Sequence, residues 1–256
     1  MPFAQAQDAG WVTETQSASG WIITLGGYED LEPKFEGARH HTIWFHPIID
    51  YREVGSREWL NLPNDGFDFP VIVTDNFRAG QVVNGRWERD VSSLMRGFRH
   101  IGAINLSAEA GAFVEWWPVE CWRTRVEVRD AVFGARGIVA DLSTDGVWRP
   151  GERWILTAGP RLSLADGAFM RSYYSVDDAQ SIMSGLPTYS APAGVRSFGA
   201  GSMAKYKWSE SVSTMAFLEY QRLGNTAAES PLIDERGSPN QLTVGVGLSY
   251  SFGVGN

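Results

Sequence analysis

The stretch Leu242-Thr243-Val244-Gly245-Val246-Gly247-Leu248-Ser249-Tyr250-Ser251-Phe252 alternates without a break between large apolar residues and small or polar residues. Successive side chains of a β-strand point to opposite faces, so the stretch predicts a strand with one apolar face and one small, polar face. It is also long enough to cross a bilayer at a tilt, which takes about 9–11 residues. The fold therefore depends on whether the apolar face meets lipid or a protein core.

The same two-residue period recurs along the chain and predicts about twelve strands. It is clear at 42–52, 102–117, 122–129 and 153–164, and less regular at 21–28, 67–75, 79–89, 135–144, 168–176, 196–208 and 212–222. An even number of long strands is typical of bacterial outer-membrane barrels. We expect residues 19–256 to form a single, closed, antiparallel transmembrane β-barrel of the all-β class, preceded by a flexible N-terminal segment at residues 1–18.

Composition excludes several other classes of protein. The chain has 256 residues, a net charge of -8 and a single cysteine, Cys121. It contains no run of about eighteen apolar residues, so no membrane helix is predicted. A nucleic-acid partner is not expected, because phosphate recognition needs clustered Lys and Arg. One cysteine allows neither an intrachain disulfide nor a thiolate metal cluster.

A soluble β-sandwich would also alternate, with its apolar faces buried and its polar faces in water. Two features favour the membrane. Soluble strands usually have about five or six residues, and several predicted strands here are twice as long. Aromatic side chains gather near strand ends, as in interfacial girdles: Trp116, Trp117, Trp122, Trp154, Trp208, Tyr250 and Phe252. We therefore predict the bacterial outer membrane as the location. Residues 1–7 lack the charged and apolar regions of a signal peptide, which we expect to be absent or truncated in this chain.

The polar faces of the predicted strands carry charges of both signs. We expect these charges to form a network inside the barrel, where each finds an opposite neighbour: Glu109, Glu115, Arg123, Arg125, Glu127, Arg129 and Arg161. The dense run 123–129 has two interpretations. It is either an anion-attracting patch in a pore or, as we favour, a structural salt-bridge network that fills a narrow barrel.

Three long polar connections, at 29–41, 177–194 and 224–239, fall on one side of the predicted barrel. If the first strand starts in the periplasm, this side is extracellular, in agreement with the usual length difference between loops and turns. Residues 55–66 and 90–100 then become unusually long periplasmic turns.

The sequence predicts neither an enzyme nor a cofactor or metal site. It lacks the serine-hydrolase elbow, the phosphate-binding glycine loop and the zinc-protease helix motif. His46 lies on a polar strand face, four residues before Asp50. It could act as a base, in a barrel hydrolase for example, but a structural, hydrogen-bonded histidine is the more common case.

Ordered motifs resemble those of the MipA/OmpV family of outer-membrane proteins across nearly the whole chain. They are residues 32–37 (Glu-Pro-Lys-Phe-Glu-Gly), 46–51 (His-Pro-Ile-Ile-Asp-Tyr), 159–162 (Gly-Pro-Arg-Leu), 184–189 (Ser-Gly-Leu-Pro-Thr-Tyr), 230–233 (Ser-Pro-Leu-Ile) and 237–242 (Gly-Ser-Pro-Asn-Gln-Leu). The resemblance implies a scaffold or adaptor for murein-synthesising and murein-degrading enzymes. Its expected partners are outer-membrane lipid, lipopolysaccharide and a periplasmic murein hydrolase or synthase. A small-solute or ion pore is the alternative function.

Overall fold

The computed structural model describes residues 20–86, 107–134 and 136–255, which form an almost entirely β-structure. Within these ranges the strands are β1 (Trp21–Pro33), β2 (His41–Glu53), β3 (Phe67–Val73), β4 (Phe77–Arg86), β5 (Ser107–Val119), β6 (Trp122–Phe133), β7 (Ile138–Trp148), β8 (Trp154–Ala165), β9 (Gly194–Lys207), β10 (Val212–Leu223) and β11 (Asn240–Val254). The helices are α1 (Gly167–Tyr174), α2 (Asp178–Ser184), α3 (Asn225–Ala228) and α4 (Pro231–Asp234). None of these helices is long and apolar enough to cross a membrane.

The strands form one antiparallel sheet that curls into a nearly closed barrel. Its order is β2-β1-β11-β10-β9-β8-β7-β6-β5-β4-β3, so β2 and β3 are the two edges. The first and last strands are neighbours, with Trp21 opposite Val254 and Leu31 opposite Val244. Every pair in this order is antiparallel, and an odd number of strands then makes the two edge strands run in the same direction.

The described residues hold eleven strands, against about twelve predicted, and the difference lies at 168–176. This segment is wrong as a strand: residues 167–174 form helix α1. The Asp166 carboxylate accepts a hydrogen bond from the backbone N–H of Phe169 at 2.8 Å, which caps the first turn. Phe169, Met170, Tyr173 and Tyr174 are buried. They are three and four residues apart and therefore lie on one side of α1. Burying this side favours a helix over the strand that the weak alternation predicted.

Apolar side chains face outward, as predicted. On β11, Val246 is 62% exposed and its neighbours Val244, Leu248 and Tyr250 are also exposed. The small residues of the same strand point inward, where there is little room. A Cβ added at Gly245 would lie 2.3 Å from the Phe217 ring. Alternation on this strand thus separates a lipid-facing surface from a filled interior.

The barrel has two unlike ends, here named the terminal end, where Trp21 meets Val254, and the loop end opposite. Exposed aromatic side chains gather at the terminal end: Trp21, Tyr51, Trp116, Trp122, Trp148, Trp154, Trp208 and Tyr250. Trp117 is the exception to the predicted girdle. It is only 1% exposed and lies inside the barrel, where its indole N–H donates to Glu115 at 2.7 Å.

Residues 54–66, here named the plug, cross the interior of the barrel and do not form a long turn. Strand β2 ends at the terminal end, because Glu53 is opposite Trp21. Strand β3 begins closer to the loop end, because Phe67 is opposite Val83, which in turn faces Ala110 near the start of β5. The chain therefore returns through the lumen, which corrects the prediction for 55–66.

The prediction for 90–100 falls outside the described residues. Strand β4 ends and strand β5 begins at the loop end, where Arg86 is opposite Ser107. The predicted flexible segment 1–18 also lies outside the described residues.

Three connections share the loop end: residues 34–40 between β1 and β2, the segment between β8 and β9 with α1 and α2, and the segment between β10 and β11 with α3 and α4. The first is shorter than predicted, because residues 29–33 belong to β1 and His41 begins β2. The two helical connections build a cap. Its apolar core is continuous with the barrel rim: Val139, Ala165, Phe169, Met170, Tyr173, Tyr174, Val176, Leu186, Ala191, Leu223, Ala227, Leu232 and Ile233. Two hydrogen bonds join its parts, from Tyr189 to the Thr226 carbonyl at 2.7 Å and from Ser230 to the Tyr174 carbonyl at 2.5 Å. Partial burial raises the pKa of the Tyr189 phenol, and the nearby Glu229 carboxylate raises it further. The cap is therefore a packed unit.

Candidate functional site

The seven charged residues singled out from the sequence all point into the barrel and connect in one network. Six of them are buried: Glu109, Glu115, Arg123, Arg125, Glu127 and Arg129. Arg161 is slightly more accessible, with a side chain that is 13% exposed. It joins the others through Asp145, whose carboxylate forms ion pairs with the guanidinium groups of both Arg161 and Arg123. The N–O distances are 2.7 Å to Arg161 and 3.5 Å to Arg123. Period-two alternation alone brings these residues to one face of each strand.

Glu115 is the centre of the network and is fully buried. One of its oxygens, Oε2, accepts hydrogen bonds from Arg123 at 2.8 Å and Arg125 at 3.3 Å. The same atom accepts from Arg78 at 3.0 Å, while Oε1 accepts from Trp117. A single carboxylate thus contacts three guanidinium groups that lie away from water.

Two aspartates supply further negative charge. Asp65, on the plug, forms an ion pair with Arg123 Nη2 at 2.5 Å. Asp68, at the start of β3, forms ion pairs with Arg125 Nη2 at 2.5 Å and with Arg78 Nη2 at 3.1 Å. With Glu127 beside Arg125 and Asp145 beside Arg123, the three arginines contact five carboxylates. Because removing one member leaves an unbalanced buried charge, the network fixes the plug to the wall formed by β4, β5 and β6.

The network continues toward the loop end. Arg129 pairs with Glu109 at 3.2 Å and with Asp141 at 2.5 Å, and it also contacts Glu127. Arg196 reaches Asp141 from β9, at 3.2 Å. Ion pairs therefore follow the wall from the plug up to the cap.

Apolar contacts hold the plug as well. Leu60 and Leu62 are buried among side chains that point inward from five different strands: Trp117, Val147, Ile155, Met203 and Phe217. The Tyr28 hydroxyl donates to the Pro63 carbonyl at 2.8 Å. The plug thus contacts opposite sides of the barrel.

A cavity of about 1260 Å³ remains inside the barrel, lined by the plug and mainly by β1, β2 and β8–β11. On its wall Glu58 of the plug meets Lys205 at 3.2 Å and Lys207 at 2.5 Å. The lining mixes polar and apolar surface and carries charges of both signs, so the cavity can hold water and small polar solutes.

The partners that sequence analysis missed lie on segments with a weak or absent strand signal. Asp141 and Asp145 on β7 share an inward face with Ser143, a spacing that could have indicated them. Asp65 has no such signal, because its position depends on the path of the plug. His46 lies near a carboxylate that the sequence did not indicate, that of Asp30 on β1, with 3.5 Å between Nε2 and Oδ1.

The long antiparallel strands, the apolar outer surface and the charged, filled interior define an outer-membrane β-barrel. The chain belongs to the family described as MltA-interacting protein MipA, whose model matches residues 25–252. This confirms the family resemblance found in the sequence motifs.

Several known proteins are similar to this chain. The protein of Escherichia coli strain K12 that is named "Putative outer membrane protein YiaT" is 31% identical over 145 residues. The match covers 56% of this chain and 57% of YiaT, so it spans little more than half of that relative. Among solved structures, an outer membrane channel from Pseudomonas putida F1 has a TM-score of 0.46 at 11% identity, covering 94% of this chain and all of that one. The NanC porin has a TM-score of 0.42 at 8% identity, covering 90% of this chain and 98% of that one.

Proposed function

We propose that this barrel is a non-conducting anchor in the outer membrane and an adaptor that holds a murein hydrolase or synthase beneath it. The observation that carries the proposal is the plug, which is tied into the lumen by buried ion pairs and by Leu60 and Leu62. A lumen crossed by a segment that is held on several sides suits a rigid platform better than a passage. The family description, which names an interaction with MltA, supports a murein enzyme as the partner. The proposal assigns no catalytic role to the chain.

The adaptor role needs the terminal end to face the periplasm, where murein lies. Outer-membrane barrels have short periplasmic turns and longer extracellular loops. The turns at the terminal end are short, and residues 120–121, 149 and 151–153 there are exposed. We therefore propose these turns as the partner surface. The plug is not part of it, since its central residues are enclosed.

The orientation can be tested with the natural cysteine. Cys121 is exposed in the turn between β5 and β6. We expect it to resist a bulky maleimide polymer in intact cells and to react once the outer membrane is permeabilised. In the matched control, Cys121→Ser combined with Thr188→Cys, the new thiol lies in the exposed loop that follows α2. It should react in intact cells. The reverse labelling pattern would place the terminal end outside the cell.

The adaptor role can be tested from the same position. A photo-crosslinker attached to Cys121 should capture a murein hydrolase or synthase in native envelopes, identified by mass spectrometry of the adduct. The same crosslinker at Thr188→Cys in the Cys121→Ser background should not capture it. If neither position captures a murein enzyme, or if both capture the same one, the adaptor proposal is wrong.

A gated pore is the second candidate, and the cavity of about 1260 Å³ favours it. In this case the plug is a gate. Steady conductance of the unmodified protein in planar bilayers would support this candidate and contradict the non-conducting anchor. Neutralising Arg125 or Arg129 should then change the conductance.

A further inference from the structure

We propose that Asp30, Glu32 and His46 form a binding site for a divalent transition-metal cation of the zinc type on the wall of the cavity. Sequence analysis predicted no metal site, because the three residues come from two strands whose register it could not supply. The proposal is independent of the adaptor role.

The fold brings the three side chains to one inward-facing patch. Asp30 and Glu32 are two residues apart on β1 and therefore share a face. His46 lies on β2 opposite Tyr28, one step along the same face. The Tyr28 ring stacks on the imidazole, with centroids 4.7 Å apart and planes at 16°, which orients it.

The geometry suits one shared ion. One donor atom from each residue, two carboxylate oxygens and one imidazole nitrogen, lies within 4.8 Å of the others. Two ligand atoms of a tetrahedral zinc ion, each about 2.0–2.1 Å from the metal, are about 3.3 Å apart, so modest side-chain rotations close the site. All three residues line the cavity, which gives an ion a route of entry.

Charge and burial also point to a cation. Asp30 is 94% buried and its Oδ1 has no hydrogen-bond partner. The 3.5 Å contact from Oδ1 to His46 Nε2 is longer than an ordinary hydrogen bond. Among the described residues, no Lys or Arg forms an ion pair with Asp30 or Glu32, in contrast to the balanced network around Glu115. A divalent cation would balance the two carboxylates.

The donor set selects the type of ion. Imidazole suits zinc and neighbouring transition metals, whereas magnesium and calcium prefer oxygen ligands alone. We therefore expect Zn²⁺ to bind more tightly than Mg²⁺, with water completing the coordination.

The test is calorimetric titration of the folded, full-length barrel in detergent, after removal of metals with a chelator. We expect Zn²⁺ to bind at one site per chain. His46→Ala and Asp30→Asn should each weaken the affinity at least about tenfold, since even outer-shell changes at metal sites commonly cost that much. The matched controls are His41→Ala and Glu29→Gln, which alter exposed side chains on the same two strands and should bind as the unmodified protein does.

Two results would overturn the proposal. One is the absence of one-site Zn²⁺ binding by the unmodified barrel. The other is equal affinity in the His46→Ala and His41→Ala proteins, which would place the ion elsewhere. Heat-modifiable gel migration identifies variants that fail to fold. In such a case Co²⁺ absorption spectra of the folded, unmodified barrel decide, because nitrogen ligation by His46 gives a spectrum distinct from that of an all-oxygen site.

Discussion

Glu115→Ala is expected to destabilise the barrel by about 3–5 kcal/mol, the usual cost of removing one partner from a buried ion pair. Glu115 is fully buried and accepts hydrogen bonds from Arg78, Arg123 and Arg125. Its removal takes away the one carboxylate that all three guanidinium groups share. Arg78 then keeps Asp68, Arg123 keeps Asp65 and Asp145, and Arg125 keeps Asp68 and Glu127. The three cations share less negative charge and cannot reach water without moving the plug.

The measurement is denaturant unfolding of the protein in lipid vesicles, followed by tryptophan fluorescence and by heat-modifiable migration. Glu210→Ala is the matched control, because Glu210 is exposed in the turn between β9 and β10. Glu115→Gln keeps the shape of the side chain and should fall between the two. Equal unfolding midpoints for Glu115→Ala and Glu210→Ala would show that the network contributes little to stability.

The second large effect is expected from Leu60→Ala combined with Leu62→Ala. Each substitution removes a buried side chain from the contact between plug and barrel wall, at a cost of about 2–5 kcal/mol per leucine. The strands keep all their own contacts, so the loss falls on the plug. We expect the unmodified barrel to be silent in planar bilayers and the double variant to show discrete openings.

The matched control for this experiment is Leu218→Ala combined with Leu248→Ala, which makes the same chemical change on the outer face. This protein should stay silent. Silence of both variants, with both folded, would mean that the plug is held by its ion pairs alone or that the cap also blocks the lumen. In that case, Asp65→Ala added to the double variant separates these two explanations.

Alternation in the sequence predicted which side chains of each strand point to lipid and which point to the lumen. It could do so because alternation is a local property of each strand. On β6, Arg123, Arg125 and Arg129 follow at even spacing between apolar residues, and only one face can meet lipid. The lumen position of these side chains could therefore be anticipated without knowing which strands are neighbours.

The contacts between segments could not be predicted in the same way. Asp65 lies in a stretch without periodicity, and its pairing with Arg123 depends on a chain path through the lumen. The contact of Asp30 with His46 depends on the register of β1 against β2. Helix α1 was missed because its eight residues are too few to separate a helical period from an alternating one.

Strands β2 and β3 run in the same direction, and this has a consequence for how the barrel assembles. Residues 54–66 connect the two edge strands, which do not pair with each other in the described sheet. The seam of β1 against β11, which joins positions 21–31 to 244–254, therefore leaves the wall open between β2 and β3. The inner segment borders this opening at both of its ends. It can enter the lumen there without the wall having to come apart, which a fully closed up-and-down cylinder would not permit.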